Sequence, residues 1–248
     1  MRIVNPKGHY HFLVGIDPYS SGVIADAGYE VVHATLKRSV PWRDGFEAID
    51  AHLHGMGQDR HALCGVELRL PASYTMAGFI AFNRAYCDLL KAWDLYVGDL
   101  NPVARTNVVP FYDPPEQPAL HGFSYTVAAS EPPGTLVIAG AGELRSRALS
   151  EEGIIRRGET DADAMAEKAA YVMEVMEKRL SGLGGTWEMI TTVDIYTVHP
   201  IDGRVEEIVL SGMGAARRHG VRRYYARPPV VDLEYEMDMR GVRQEIVI

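Results

Sequence analysis

Two stretches of the chain, residues 46–70 and residues 173–197, share one pattern of apolar and polar positions. Apolar side chains recur there every three or four residues, which is the spacing of one face of an amphipathic helix. The matched positions lie 127 residues apart and are Phe46 and Met173, Ile49 and Met176, Leu53 and Leu180, Gly55 and Gly182, and Val66 and Val193. Both stripes end at glycine, a common helix terminator, and an alternating strand pattern follows each. The repeat predicts helices over 44–54 and 162–180 in two similar halves.

The order of the remaining elements indicates the fold class. Each half reads strand, strand, helix, strand, helix, strand, strand, and the second helix is strong in residues 77–93 but weaker in residues 204–220, where glycines lower helix propensity. The segment SEPPG (130–134) is the natural joint between the halves. We therefore predict an α+β fold with two tandem domains, residues 1–130 and residues 134–248. Each domain is a β-sheet with two helices packed on one face.

Composition and charge narrow the functional classes. The chain has 248 residues, of which 47% are hydrophobic, so it can bury a substantial core. Its only cysteines are Cys64 and Cys87, which argues against a disulfide framework and for the cytoplasm. The N-terminal segment lacks a signal-peptide core, and no uncharged apolar run approaches about 18 residues, so we expect no membrane partner. A net charge of −8 argues against nucleic acid as a partner, because phosphate binding needs a basic face.

Two arginines occupy similar local sequences. Arg227 stands in ARPP, where the prolines bias the backbone toward an extended geometry, and Arg105 stands in VART. A guanidinium held in this way can bind a substrate carboxylate through two parallel hydrogen bonds. For Arg227 the alternative is a structural ion pair with one of the carboxylates that follow it.

An acidic run follows Arg227. If the segment from Val231 onward is extended, its carboxylates share one face of a strand; they are Asp232, Glu234, Glu236 and Asp238. Burial of a carboxylate among like charges raises its pKa toward neutrality, where general acid–base catalysis is efficient. We predict that Glu236 is the catalytic proton shuttle, while Asp232 and Glu234 are solvated. The alternative is that all four carboxylates are solvated on an exposed face.

Further candidates have weaker signals. Glu143 in AGAGEL is the second catalytic candidate, because it lies at a glycine-rich strand end where the backbone can approach a ligand closely. The alternative is that the glycines only allow a tight turn. Tyr19 and Asn83 either orient a substrate or cap loops. His199, after the strand IYTV, is a candidate for the substrate site or an ordinary loop histidine.

Several established chemistries leave no trace in the sequence. The zinc deaminase signature, the G-x-S-x-G elbow, the phosphate-binding loop and the dinucleotide-binding glycine motif are all absent. We therefore predict a reaction that uses no cofactor and no metal.

Five short motifs resemble one family when they are taken in order. They are DPYSSG (17–22), FNRAY (82–86), PVART (102–106), ARPP (226–229) and LEYEMD (233–238). Together they resemble the reactive-intermediate deaminases of the YjgF (Rid) type. The resemblance implies two tandem YjgF-like domains with the chorismate-mutase-like fold and a site shared between neighbouring subunits. It also implies hydrolysis of 2-imino or 2-enamino acids.

The two halves depart from that family pattern in complementary ways. The first half has Tyr19, Asn83 and Arg105 but no closing carboxylate, whereas the second half has Arg227 and Glu236 but no PYS motif. We therefore expect a complete residue set only where a first half meets a second half, within one chain or across chains. The resemblance implies a homotrimer that imitates a hexamer, or a dimer of such trimers. Three of its six pseudo-equivalent sites would then be competent.

These expectations converge on one reaction class and leave two alternatives. The leading hypothesis is metal-free hydrolytic deamination of an enamine or imine carboxylic acid, a small mono- or dicarboxylate such as 2-aminomuconate, with release of ammonia. One alternative is a chorismatase-like enzyme acting on a cyclic dicarboxylate. The other is a non-enzymatic module that binds small carboxylates. Ammonia release from an enamino acid separates the first hypothesis from both alternatives.

Overall fold

The computed structural model describes residues 1–130, 134–145 and 150–248. The α-helices in these ranges are α1 Trp42–Gly55, α2 Met76–Ala92, α3 Ala162–Leu183 and α4 Gly203–Gly212. The strands are β1 Arg2–Asn5, β2 Tyr10–Leu13, β3 Gly22–Ala25, β4 Tyr29–Pro41, β5 Leu63–Arg69, β6 Ala104–Pro110, β7 Ala119–Ala128, β8 Leu136–Gly142, β9 Thr192–Tyr196, β10 Arg222–Tyr224, β11 Ala226–Arg227, β12 Glu236–Gly241 and β13 Gln244–Val247. No helix in the described ranges has the length and apolar character needed to cross a membrane.

The strands form two mixed sheets. One has six strands in the order β11-β6-β5-β7-β4-β13, and the other has seven in the order β1-β2-β3-β8-β12-β9-β10. The apolar stripe of α1 packs with α2 on the six-stranded sheet, around a core that includes Phe46, Ile49, Leu53, Tyr86 and Phe123. The stripe of α3 packs with α4 on the seven-stranded sheet, around a core that includes Met176, Leu180, Val193, Val209 and Met237. The predicted α+β architecture is confirmed.

The internal repeat is confirmed at the level of topology. The central strands run in the order β6-β5-β7-β4 in one sheet and β10-β9-β12-β8 in the other. The pairs β5–β6 and β9–β10 are parallel, and the remaining pairs in these two sets are antiparallel. The predicted helices 44–54 and 162–180 correspond to α1 and α3.

The two halves of the chain exchange strands at the sheet margins. The first three strands belong to the seven-stranded sheet, because β3 pairs with β8. The last strand, β13, pairs with β4 in the six-stranded sheet. Neither half therefore contains all the strands of its own sheet. The division into residues 1–130 and 134–248 stays a prediction, and residues 131–133 of the predicted joint lie outside the described residues.

The sheet faces that are not covered by helices pack against each other. Part of this interface is apolar and consists of Tyr10, Phe12, Val23, Val31, Cys64, Ala104, Ala139 and Val242. Another part is ionic. Arg240 Nη1 lies 2.8 Å from Asp194 Oδ2 in its own sheet and 3.8 Å from Glu67 Oε1 in the facing sheet. The interface joins residues from the two halves into a single body, so it can hold a site that neither half completes.

Candidate active site

A cavity of about 500 Å³ lies where the two halves meet, which is a volume typical of small-molecule sites. Its wall includes the loop before β3, the strand β6, the helix α3 and the beginning of β12. The polar and charged side chains on this wall are Tyr19, Ser21, Arg105, Asn107, Arg145, Tyr171, Lys178, Arg179 and Glu236. Among the described residues of this wall, four are cationic and one is a carboxyl group, although the whole chain carries a net charge of −8. The cavity is therefore suited to an anionic ligand.

Arg105 is the central cation of the cavity. It is only 3% exposed, and its Nη2 donates a hydrogen bond of 2.7 Å to Asn83 Oδ1. Its guanidinium carbon lies 4.9 Å and 4.6 Å from the ring centroids of Tyr19 and Tyr86. Within the described ranges no carboxylate forms an ion pair with Arg105, and its Nη1 has no hydrogen-bond partner. A buried guanidinium with a free donor is costly until an anion binds to it, and a substrate carboxylate has the matching geometry.

Glu236 provides the carboxyl group of the cavity. It is the first residue of β12 and is 4% exposed. Burial raises the pKa of Glu236 well above its ordinary value, and the negative charges of Asp238 and Glu143 raise it further, while Arg179 and Arg105 oppose the shift. The carboxyl group therefore keeps its proton at pH values where an exposed glutamate has lost it. A proton donor of this kind suits general acid catalysis.

The structure brings four of the predicted residues together. Tyr19, Arg105 and Glu236 line the cavity, and burial raises the pKa of Tyr19, so its hydroxyl keeps its proton. Asn83 lies on α2 and contacts the cavity through Arg105, whose guanidinium it orients. The set combines three residues of the first half with Glu236 of the second half, within a single chain.

Glu143 lies outside the cavity wall, in a fully buried ion pair with Lys168, whose Nζ is 3.1 Å from Glu143 Oε1. The same carboxylate accepts hydrogen bonds from the backbone N–H groups of Glu234, at 2.7 Å, and Tyr235, at 3.1 Å. Burial raises the pKa of Glu143, and the adjacent ammonium opposes that shift. These contacts anchor the chain directly before Glu236. Glu143 therefore holds the backbone before Glu236 in place, and its own carboxylate does not face the cavity.

Arg227 and His199 form a separate ionic cluster with Glu234. Arg227 Nη1 and His199 Nε2 lie 2.9 Å and 2.7 Å from Glu234 Oε2. The Arg227 side chain is 41% exposed, and neither it nor His199 lines the cavity. The structure thus corresponds to the alternative interpretation of Arg227, a structural ion pair with a following carboxylate.

The strand register explains why Arg227 does not mirror Arg105. In the six-stranded sheet Glu67 pairs with Thr106, and in the seven-stranded sheet its repeat counterpart Asp194 pairs with Arg222. Thr106 and Arg222 therefore occupy equivalent positions. One residue earlier, Val221 therefore occupies the place of Arg105. Arg227 lies in β11 instead, which pairs with β6 of the other sheet. The similarity between the motifs around Arg105 and Arg227, VART and ARPP, is local and does not reflect equivalent positions in the fold.

The extended conformation expected from Val231 onward is wrong for its first part. Residues 231 and 232 form a turn, Asp232 has a φ of 70°, and the strand begins only at Glu236. Asp232 forms a half-exposed ion pair with Arg157. Glu236 and Asp238 are buried, so the four carboxylates do not form one solvated face. The expectation that Glu234 is solvated is also wrong, because its side chain is only 16% exposed and pairs with Arg227 and His199.

Sequence reasoning missed several residues of the cavity wall. Asn107 follows Arg105 by two positions on β6, and the alternation of a strand places both on the same face. This alternation could have identified Asn107 from the sequence. Arg179 lies on α3, and its Nη1 donates to the carbonyl oxygens of Ala139 and Gly140. No local motif marks Arg179, Lys178 or Arg145. The packing of α3 against the sheet brings Lys178 and Arg179 to the cavity, and Arg145 lies in the segment that follows β8.

The chain matches known proteins along nearly its whole length. Residues 2–246 match the family described as 2-aminomuconate deaminase CnbZ. The chain is 38% identical over 252 residues to the 2-amino-5-chloromuconate deaminase of Comamonas testosteroni, with 99% of this chain and 98% of that protein covered. Solved structures with lower similarity include a chorismatase, at 12% identity and a TM-score of 0.45 with 92% of this chain and 79% of that chain covered. Another is an endoribonuclease candidate from Thermotoga maritima, at 20% identity and a TM-score of 0.33 with 54% and 91% covered. The chain belongs to the CnbZ family of 2-aminomuconate deaminases.

Proposed function

We propose that this protein is a hydrolytic deaminase that converts 2-aminomuconate, or a close relative of it, into the corresponding 2-oxo acid and ammonia. The observation that carries the proposal is the presence, in one cavity, of a buried carboxyl group with a raised pKa and a buried guanidinium without a carboxylate partner in the described residues. The first can donate and accept protons, and the second can bind a carboxylate. Membership of the CnbZ family supports the same reaction.

The substrate is a dicarboxylate, and the cavity offers cations for both of its ends. Arg105 is the candidate for the carboxylate next to the amino-bearing carbon, because its two terminal nitrogens can approach both carboxylate oxygens. Arg145, Lys178 and Arg179 also line the wall and are the candidate cations for the distal carboxylate. Arg145 and Lys178 form exposed ion pairs with Glu167 and Glu174, which a substrate carboxylate would have to replace. Binding at both ends would hold the amino-bearing carbon in place beside Glu236.

The reaction can be written with Glu236 as the sole proton carrier. The neutral carboxyl group protonates C3 of the enamine and leaves an iminium at C2. The carboxylate then takes a proton from water as the water oxygen bonds to C2, giving a carbinolamine. Glu236 returns that proton to the amino nitrogen, the C–N bond breaks, ammonia leaves, and the carboxylate takes the hydroxyl proton as the C2 carbonyl forms. The enzyme ends in its starting state, and one water is consumed per ammonia released.

The experiment is an ammonia assay on the purified protein with freshly prepared 2-aminomuconate. We expect one ammonia per substrate molecule, loss of the enamine absorbance, and strong reduction of both by Glu236→Gln. The chorismatase alternative predicts turnover of chorismate without ammonia, and the binding-module alternative predicts binding without turnover. Wild-type protein that binds 2-aminomuconate but releases no ammonia would contradict the proposal.

Assembly and compartment also remain proposals. We place three tandem chains around a threefold axis because the family resemblance implies that arrangement and because closed cyclic assembly is usual for homo-oligomers. Light scattering should then give a mass of about three times 27.4 kDa, or twice that for a dimer of trimers. A monodisperse monomer would contradict it. The two free, buried cysteines agree with a reducing compartment, and we propose the cytoplasm.

A further inference from the structure

Asn107 combines burial with an unsatisfied polar side chain. It is 3% exposed, it lies on β6, and it lines the cavity. Neither its amide oxygen nor its amide nitrogen has a hydrogen-bond partner among residues 1–130, 134–145 and 150–248. A carboxamide can accept at its oxygen and donate twice from its nitrogen, and leaving such groups buried and unpaired destabilises the fold. A ligand in the cavity would satisfy groups that the protein itself leaves unsatisfied.

The position of Asn107 indicates which part of a ligand it meets. Arg105 and Asn107 are two residues apart on one strand, so their side chains leave the same face roughly 7 Å apart at the backbone. Glu236 lines the same cavity from the facing half. If Arg105 holds the carboxylate at C1 of a 2-enamino acid, the next atom along the substrate is the amino-bearing C2. The neighbouring polar group on the strand is then placed to meet the nitrogen.

We propose that Asn107 recognises the amino nitrogen of the substrate, accepting an N–H hydrogen bond at Oδ1 and donating from Nδ2 to the attacking water. The inference rests on the proposed function and assigns one specificity residue to it. The carbonyl oxygen that replaces nitrogen in the product carries no hydrogen, so it cannot donate to Oδ1. The interaction therefore favours the enamine and iminium over the product and assists product release.

Binding can be measured apart from turnover in a Glu236→Gln background. The probes are 2-aminomuconate and cis,cis-muconate, which has both carboxylates but no amino group. We expect the Glu236→Gln protein to bind 2-aminomuconate roughly tenfold or more tightly than muconate, because one hydrogen bond to a buried partner is worth that much. Adding Asn107→Leu should abolish the preference and leave the affinity for muconate within about twofold.

A stability measurement distinguishes recognition from a structural role. Leucine is close to asparagine in shape and has no polar atoms, so Asn107→Leu should leave the unliganded protein as stable as before or more stable. A clear loss of stability, with both ligands weakened equally, would show that Asn107 is structural and overturn the proposal. Asn107→Ser leaves space for a water molecule and should restore part of the preference. An unchanged preference in Asn107→Leu would also overturn it.

The deaminase assignment and the recognition role of Asn107 can be contradicted independently of each other. If wild-type protein releases no ammonia but the preference for 2-aminomuconate depends on Asn107, the recognition role holds and the deaminase assignment does not. If ammonia is released and Asn107→Leu retains both its kcat/KM and its amino preference, the deaminase assignment holds and the recognition role is wrong.

Discussion

The carboxyl group of Glu236 occupies the space that a β-carbon on Gly140 would fill. A methyl group built there would overlap Oε1 of Glu236 and would lie 3.0 Å from Thr106 Cγ2. The absence of a side chain at this position of β8 thus allows the catalytic candidate to sit between the two sheets.

Gly140→Ala should therefore displace the Glu236 carboxyl group and lower kcat at least tenfold, because proton transfer requires the donor within hydrogen-bond reach. The matched control is Gly203→Ala at the beginning of α4, where an added β-carbon meets no atom within 4 Å. The control should keep full activity. Equal activity of the two variants would mean that Glu236 need not occupy its observed position.

Glu236→Gln keeps the shape of the side chain but removes the proton carrier, so kcat should fall by roughly 10²–10⁴-fold. Glu234→Gln is the control, since Glu234 is tied to Arg227 and His199 outside the cavity and should affect kcat little. Steady-state kinetics on both variants, after unfolding curves show that each is folded, check the prediction. A dead Glu234→Gln beside an active Glu236→Gln would reverse our assignment of the carboxylate.

The pH profile follows from the same group. The first step needs the protonated carboxyl group of Glu236, whose pKa is raised by burial. That form is fully present below the raised pKa and is lost as the pH rises through it. We expect kcat to fall on the alkaline side, with a limb that disappears in Glu236→Gln. A limb that persists in the variant would belong to another group.

Arg105→Lys should raise KM roughly tenfold or more, because lysine keeps the charge but loses the planar two-point contact and the hydrogen bond to Asn83. Arg227→Lys is the matched change outside the cavity and should leave KM nearly unchanged, since a half-exposed ion pair with Glu234 tolerates another cation. If Arg227→Lys raised KM as much as Arg105→Lys, Arg227 would contact the substrate after all.

The buried pair of Glu143 and Lys168 should behave as a unit. Removing one partner leaves an uncompensated buried charge, so Glu143→Gln and Lys168→Met should each cost about 3–5 kcal/mol of unfolding free energy. The double variant should lose much less than the sum of the two losses. Denaturant unfolding of the three variants forms the cycle, and additive losses would show that the two groups do not interact.

Asp238 gives a prediction for stability against pH. Burial, followed by the charges of Asp194 and Glu67, raises the pKa of Asp238 to about 8, from 3.8 for an unperturbed carboxyl group. The folded state therefore keeps a proton that the unfolded chain releases. The resulting stability is fully present below about pH 4 and is lost as the pH rises toward 8.

Asp238→Asn should remove this dependence, because the amide oxygen still accepts the hydrogen bond from the Tyr196 hydroxyl, which lies 3.1 Å from Asp238 Oδ2 in the parent. Urea unfolding at pH 5 and pH 8.5 should show a smaller decline for the variant than for the parent. If the unfolding free energy fell equally in the variant and the parent, another titrating group between the two sheets would be responsible for the pH dependence.

The amino-acid sequence by itself determined the repeat, the α+β class and the family. The apolar stripes of α1 and α3 and their glycine ends are local patterns with a helical period, and such patterns are set by burial of one face. Tyr19, Asn83, Arg105 and Glu236 were also identified from short motifs, each of which lies in one element.

Only the tertiary structure showed which of the candidate residues line the cavity and which lie outside it. Arg227 and Arg105 have similar neighbours in sequence, yet β11 pairs across to the other sheet while β6 carries Arg105 into the cavity. Likewise, Glu143 and Glu236 are both buried carboxyl groups, and their roles differ because Lys168 neutralises only the first. Charge, burial and free hydrogen-bonding capacity depend on neighbours that are distant along the chain, whereas periodicity depends on neighbours a few residues away.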